Sequence, residues 1–177
     1  MSLLFADIRG STTLAEGMSP SKFSQLLNRF YAVTTEVMVK TDALIDKLVG
    51  DEVIGLYLPG WAGSEHAALA VQAAQALLRA TGHGEPHGPW LPVGAGVHTG
   101  TAYVGTVSGT EGTVADLTAL GDSVNTTARL ASNAATGEVL ITETAYAAAG
   151  LNLEDLERRK LVLKGKSEPV DVRVIRI

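Results

Sequence analysis

The chain has 177 residues, of which 46% are hydrophobic, and its formal net charge is -5 at pH 7. This length and composition suit one globular domain with a sizeable core, and the negative charge argues against a general nucleic-acid-binding protein, whose surface is usually basic. The absence of cysteine excludes disulfides and thiolate metal sites. Since the sequence has neither a long apolar run nor a basic-then-apolar N-terminus, we expect no membrane span, no signal peptide and a cytoplasmic location.

The first predicted element is a short strand over residues 3–7, which is followed by Gly10, Ser11, Thr12 and Thr13. Backbone N–H groups at the start of a helix bind phosphates, and this sequence directly after a strand is suited to that role. Ser and Thr after Gly also fit ordinary helix capping.

A long helix is predicted to begin at Ser19, as its N-cap, and Pro20, as its first residue. Apolar residues recur at helical spacing after Pro20 and mark the face that packs on the core.

Residues 43–58 have the pattern of a β-hairpin, in which two runs of branched apolar residues flank Gly50 and Asp51. A two-residue turn favours such residues on conformational grounds alone. The hairpin also places a carboxylate at its tip, which suits a divalent cation, and Lys47 inside an apolar strand, where an ammonium group needs a partner.

A second helix is predicted over residues 64–81 and a loop over residues 82–92. His83 and His87 lie four residues apart in this loop. Because glycine and proline residues between them break any helix that would align them, we expect no metal site there.

Strands over residues 93–98 and 102–107 are predicted to form a hairpin-like pair. His98 is expected to be a packed or hydrogen-bonded histidine rather than a catalyst. A loop is expected at residues 109–112.

Residues 118–132 predict a short strand that ends at Gly121 and a helix with Asp122 as its N-cap. Asn125 and Arg129 lie four residues apart, so they share one face of this helix. An arginine on a helix is commonly solvated and an early asparagine commonly caps, so this pair alone does not define a site.

The remaining chain predicts a strand at residues 139–142, a helix at 143–149, a strand at 159–163 and a basic turn before a last strand. The whole order gives an α+β fold with a βαββαβ core, an antiparallel sheet covered mainly on one face, and a C-terminal β extension. Both termini are expected to lie in strands, as in a module taken from a longer regulated chain.

Five segments together resemble the catalytic domains of class III nucleotidyl cyclases in order and approximate spacing: FADIRGST, DKLVGDEVIGLY, GVHTG, LTALGDSVNTTAR and LKGKSEP. The resemblance spans nearly the whole chain. It implies a ferredoxin-like fold and a head-to-tail homodimer with active sites at its interface, in a signalling enzyme.

The resemblance also implies roles for individual residues. Two Mg²⁺ or Mn²⁺ ions would be bound by Asp7, Asp51 and the carbonyl of Ile8. The backbone of residues 10–13 would hold phosphates. The remaining roles fall to five side chains, with Lys47 and Thr118 reading the base, Asn125 orienting the ribose, Arg129 stabilising charge at the α-phosphate and Lys164 contacting the terminal phosphates. The metal-binding aspartates would come from one subunit and these five residues from the other.

The substrate implied is ATP, converted to 3′,5′-cyclic AMP and pyrophosphate. Lysine only donates and a threonine hydroxyl can accept, so Lys47 and Thr118 suit the acceptor N1 and the donor amino group of adenine. Thr118 stands where many animal enzymes carry Asp, a change associated with a bacterial branch, and Thr101 stands where some members have a phosphate-binding Arg. No general base is evident, so the proton would pass to Asp7 or to substrate, or the metals would activate the hydroxyl.

Other interpretations stay open. The chain could be a guanylate cyclase, or a catalytically weak nucleotide-binding or dimerisation module. The sequence VGDEV also resembles the GGDEF signature of diguanylate cyclases, but that family does not account for Asn125, Arg129 or LKGK. A ferredoxin-like nucleic-acid binder needs exposed aromatic residues and basic charge, whereas aromatic content is 5% and the chain is acidic.

Overall fold

The structure is a computed structural model that describes residues 1–108, 115–151 and 155–177. Its strands are β1 (Ser2–Ile8), β2 (Leu44–Val49), β3 (Glu52–Tyr57), β4 (Val93–Thr99), β5 (Tyr103–Ser108), β6 (Ala115–Leu120), β7 (Glu138–Thr142), β8 (Glu157–Leu161) and β9 (Val170–Arg176). Its helices are α1 (Ser11–Glu16), α2 (Pro20–Lys40), α3 (Pro59–Ala62), α4 (His66–Ala80), α5 (Asp122–Asn133) and α6 (Glu143–Ala149). The loop predicted at residues 109–112 lies outside the described residues.

Within these residues, a seven-stranded sheet has the order β2-β3-β1-β4-β7-β9-β8, and β5 pairs with β6 in a separate ribbon. The first four strands of that order are antiparallel neighbours and, with α2 and α4, form the predicted βαββαβ core. Strand β7 adds parallel to β4, and β9 and β8 continue the sheet antiparallel. The prediction of an α+β, ferredoxin-like fold with a C-terminal β extension is confirmed.

The two faces of the sheet have different cover. Leu4 and Ala6 of β1 belong to a core shared with α2, α4 and α6, whereas Leu3 and Phe5 face the opposite way, toward α5. Gly96 permits the close approach of α5, because a methyl group there would lie 2.6 Å from the backbone nitrogen of Ala131. Because successive side chains of a strand point to opposite faces of the sheet, Asp7 follows Leu3 and Phe5 on the face of β1 that is directed toward α5.

Two local predictions are confirmed at the residue level. Ser19 is the N-cap of α2, where its side chain accepts from the backbone N–H of Lys22 at 3.4 Å, and Pro20 is the first helical residue. Strands β2 and β3 form the expected hairpin. Gly50 in its turn has a φ of 60°, which is the conformation that glycine adopts without strain.

The predicted pairing of residues 93–98 with residues 102–107 is wrong. Strand β4 pairs with β1 along one edge and with β7 along the other, so it has no free edge for β5, which pairs with β6 instead. The predicted N-cap is also wrong by one position. Gly121, with a φ of 132°, precedes α5, and Asp122 is the first helical residue.

The described contacts include hydrogen bonds of two histidines, and His98 is hydrogen-bonded as expected. His83 is buried and its Nε2 accepts from the backbone N–H of Val93 at 3.1 Å. His98 Nδ1 lies 3.0 Å from the hydroxyl oxygen of Thr142. None of the helices in the described part of the chain combines the length and apolar character needed to cross a membrane.

Candidate active site

The candidate site begins with two carboxylates on neighbouring backbone segments. Asp7 lies near the end of β1, and Asp51 lies in the turn between β2 and β3. The backbone N–H of Ile8 donates to the carbonyl of Asp51 at 3.0 Å. This bond extends the pairing of β1 with β3 beyond Asp7 and Glu52, which are directly opposite each other. The fold therefore gathers three carboxylates at one end of the sheet.

The electrostatics of this cluster follow from burial and like charge. Burial raises the pKa of Asp7, the adjacent charge of Asp51 raises it further, and an ion pair with Arg9 opposes both effects. The pKa of Glu52 is raised to about 7, chiefly by burial and then by the charges of Asp7 and Asp51. The carboxylates therefore repel one another. Arg9 offsets part of this repulsion through its ion pair with Asp7.

The residues present fit a divalent cation. Mg²⁺ and Mn²⁺ prefer oxygen ligands, which Asp7, Asp51 and the carbonyl of Ile8 could supply, and a bound cation would relieve the repulsion between the two aspartates. Among the described residues, no group of three or more His, Cys, Asp or Glu side chains is arranged to hold a metal. The candidate site therefore depends on two carboxylates and one carbonyl, and on ligands from substrate.

The predicted phosphate-binding segment lies directly beside Asp51. Gly10 has a φ of 68° and precedes α1, and the hydroxyl of Ser11, the first residue of that helix, donates to Asp51 Oδ2. Thr12 and Thr13 are exposed. A cavity of about 320 Å³ opens here and is lined by Ser11, Thr12, Ala15, Phe23, Gly50 and Asp51. The structure thus brings residues 10–13 and Asp51 together.

The turn that carries Asp51 is anchored from the helical side. The hydroxyl of Tyr31, in α2, donates to the carbonyl of Gly50 at 2.6 Å. This hydrogen bond ties the tip of the hairpin to a long helix, so the position of Asp51 is set by α2 as well as by the sheet.

Lys47 and Thr118 meet where β2 approaches β6. Lys47 Nζ donates to Thr118 Oγ1 at 3.2 Å, and Thr118 Oγ1 donates to Asp46 Oδ2 at 3.3 Å. The side chain of Thr118 is buried. Two residues predicted to read the base, 71 positions apart in sequence, therefore lie in hydrogen-bonding contact.

Asn125 and Arg129 lie on α5, with Asn125 exposed in its first turn and Arg129 partly buried. A methyl group at Gly165 would lie 3.3 Å from Arg129 Nη1, so the guanidinium rests against the turn that follows Lys164. Lys166 holds that turn to the start of α5 through an ion pair with Asp122, whereas Lys164 is exposed.

The carboxylates and Asn125 lie toward opposite ends of α5. Arg9, which pairs with Asp7, donates to the carbonyl of Ser132 at 2.9 Å, at the C-terminal end of the helix. Asn125 lies seven residues earlier, and seven residues correspond to about 10 Å of helix. Within one chain, the carboxylates and Asn125 are therefore not brought together.

Four residues in or beside these groups were not singled out from the sequence. Arg9 and Glu52 adjoin predicted segments, so their neighbourhood in sequence was a usable signal. Asp46 and Lys166 also lie in predicted segments, but the sequence did not indicate their contacts, because their partners Thr118 and Asp122 are distant in the chain.

Comparison with known proteins agrees with this architecture. The family model for adenylate and guanylate cyclase catalytic domains matches residues 1–174. An adenylate cyclase from Anabaena cylindrica is 34% identical over 134 residues, which are 73% of this chain and 26% of that protein. The chain therefore spans about a quarter of that relative.

Solved structures give the same result over almost the full length. The guanylyl cyclase Cya2 has a TM-score of 0.85 and 26% identity, over 98% of this chain and 89% of Cya2. The adenylyl cyclase CyaB from P. aeruginosa has a TM-score of 0.81 and 29% identity, over 99% of this chain and 93% of CyaB. The chain belongs to the family of adenylate and guanylate cyclase catalytic domains.

Proposed function

We propose that the domain is an adenylate cyclase, which converts ATP to 3′,5′-cyclic AMP and pyrophosphate at the interface of a head-to-tail homodimer. The observation that carries the choice of ATP is the hydrogen bond of 3.2 Å between Lys47 and Thr118. A lysine donor beside a threonine acceptor complements N1 and the amino group of adenine. Guanine has the reverse polarity at both positions.

The end of the sheet that carries Asp7 and Asp51 is proposed to bind the reacting hydroxyl and the phosphates. Two Mg²⁺ or Mn²⁺ ions, bound by Asp7, Asp51 and the carbonyl of Ile8, would lower the pKa of the ribose 3′-hydroxyl and neutralise the triphosphate. The backbone N–H groups of residues 10–13 would orient phosphate oxygens. Asp7 or a substrate oxygen would receive the hydroxyl proton.

The residues on and beside α5 are proposed to bind the ribose and to stabilise the charge that develops in the transition state. Asn125 would hold the ribose by hydrogen bonds, and the Arg129 guanidinium would stabilise charge at the α-phosphate as the new bond forms. The exposed Lys164 would contact the terminal phosphates. Because Asn125 and the aspartates lie toward opposite ends of α5, a second subunit in antiparallel orientation would complete each site.

An apolar surface supports this dimer. One face of the ribbon of β5 and β6 exposes three large apolar side chains: Tyr103 is 61% exposed, Val107 45% and Leu120 47%. Exposed apolar patches of this kind mark protein–protein contacts. A second copy of the chain is the occupant that the shared-site arrangement calls for.

The test is a product assay on purified protein. ATP or GTP is supplied with Mn²⁺ or Mg²⁺, and the nucleotides are separated by chromatography. We expect cyclic AMP from ATP at a higher kcat/KM than cyclic GMP from GTP, and neither product from Asp51→Ala. Preference for GTP would favour the second candidate, a guanylate cyclase, which the structural likeness to Cya2 supports. No cyclic product from either nucleotide would favour a non-catalytic nucleotide-binding module.

The setting of the domain is also part of the proposal. Since it corresponds to about a quarter of its Anabaena relative, we propose that it acts as the catalytic module of a longer, regulated chain. ATP is a cytoplasmic substrate, so we expect the module to work in the cytoplasm.

A further inference from the structure

Asp46 precedes Lys47 in β2, and both side chains reach the hydroxyl of Thr118. Consecutive residues of a regular strand point to opposite faces of the sheet. Here the pairing moves from Ile45 to Lys47 in β2 while it advances by only one residue in β3. This β-bulge, with Asp46 as its extra residue, explains how two neighbouring side chains serve one partner.

The three groups fix the direction of the hydroxyl proton. A lysine ammonium only donates, and an ionised carboxylate only accepts. The hydroxyl of Thr118 has one hydrogen, so it accepts from Lys47 and donates that hydrogen to Asp46. Thr118 is 7% exposed, so water has little access to compete for the hydrogen. Toward any further group, the hydroxyl can therefore only accept.

We propose that Asp46 is a specificity-determining positioning residue, which makes Thr118 an acceptor and so selects the amino group of adenine over the carbonyl of guanine. This inference rests on the proposed function and adds to it a residue that does not itself contact the base. Without Asp46, the Thr118 hydroxyl can rotate and donate to the guanine carbonyl. Asp46 thus acts through Thr118.

A merely structural role for Asp46 makes a different prediction. If Asp46 only holds β2 against β6, its loss weakens the site for both nucleotides alike. If Asp46 fixes the hydroxyl, its loss changes the ratio of the two nucleotides. The ratio of kcat/KM for ATP to kcat/KM for GTP therefore separates the two roles.

The experiment measures this ratio in wild type, Asp46→Leu and Asp46→Asn. Leucine has a similar shape without polar atoms, and we expect the ATP-to-GTP ratio to fall about ten-fold. Asparagine can still turn its carbonyl toward Thr118, so we expect a smaller fall of about three-fold. Asp171→Asn is the matched control, since it removes the same charge from an exposed position on β9, and its ratio should equal that of wild type.

A coupled variant tests whether the effect passes through Thr118. In a Thr118→Val background the hydroxyl is absent, so adding Asp46→Leu or Asp46→Asn should leave the ratio unchanged. An equal fall in that background overturns the inference, as does an unmoved ratio in the single variants. If Asp46→Leu does not fold, the ATP-to-GTP ratio of the nearly isosteric Asp46→Asn variant tests the inference instead. A wild type that does not prefer ATP overturns the proposed function itself, whereas an ATP-preferring wild type with unmoved variants overturns only the role of Asp46.

Discussion

Gly165→Ala should reduce turnover by displacing Arg129. Gly165 has a φ of 80°, and the added methyl group would lie 3.3 Å from Arg129 Nη1. Favourable carbon contacts are about 3.5–4.0 Å, so the guanidinium has to move by a few tenths of an ångström. Since a displacement of about 1 Å can cost about 100-fold in rate, we expect kcat to fall about ten-fold.

Gly150→Ala is the matched control for this change. Gly150 has a φ of 59° and no atom within 4 Å of the position that its methyl group would take. Both variants force alanine into a left-handed conformation, which costs about 1 kcal/mol, and we expect both to lower the Tm by about 2–4 °C. Only Gly165→Ala should lose activity, because only its methyl group meets Arg129.

Steady-state kinetics with ATP distinguish the mechanism. If Arg129 stabilises charge that develops in the transition state, kcat and kcat/KM should fall together while KM stays nearly constant. A folded Gly165→Ala variant with wild-type kcat would show that the contact between Gly165 and Arg129 does not affect turnover. So would an equal loss of activity in Gly150→Ala.

Three further predictions concern metals, base and pH. Asp7→Ala and Asp51→Ala should each abolish turnover. Neither should unfold the domain, because both residues are partly exposed, and circular dichroism checks the fold. Normal activity of either variant at limiting metal would contradict the two-metal mechanism. The double variant Lys47→Glu with Thr118→Cys should move the ATP-to-GTP ratio of kcat/KM toward GTP by about ten-fold or more, and an unmoved ratio in an active protein would mean that these residues do not read the base. Burial lowers the pKa of His98 from 6.5 to about 4, so between these pH values the folded state binds fewer protons at His98 than the unfolded state. The Tm of wild type should therefore fall more than the Tm of His98→Asn as the pH falls from 6.5 to 4. Parallel curves of Tm against pH for the two proteins would contradict this.

The parts of the fold that follow from local chemistry could be predicted from the sequence. Ser19 and Pro20 start α2 because their side chains satisfy or remove backbone donors. Gly50 forms the hairpin turn because it adopts a positive φ. Such features depend on a few consecutive residues, so the sequence contains all the information that they require.

The parts that depend on distant partners could not be predicted in the same way. Strand β4 follows a hairpin-like pattern with β5, but β1 and β7 already occupy both of its edges. Asp122 has the chemistry of an N-cap, but its carboxylate pairs instead with Lys166, 44 residues later. The contact of Asp46 with Thr118 depends on a bulge and on a partner 72 residues away.

The candidate site shows the same division. The segments that carry Asp7, Asp51 and Arg129 were found as motifs, and their roles stay predictions. The burial that raises the pKa of Glu52, and the fit of the Arg129 guanidinium against Gly165, arise from packing between separate elements. No pattern in the sequence indicates either one.

Subunit complementation tests whether each active site is shared between two subunits. Asp51→Ala and Arg129→Ala are each expected to be inactive, and equal amounts are mixed under conditions in which labelled subunits are shown to exchange. In a mixed dimer one site carries both substitutions and the other carries neither. Since half of the dimers are mixed and each has one intact site of two, cyclic AMP production should recover to about a quarter of the wild-type rate. No recovery despite proven exchange would contradict the shared site.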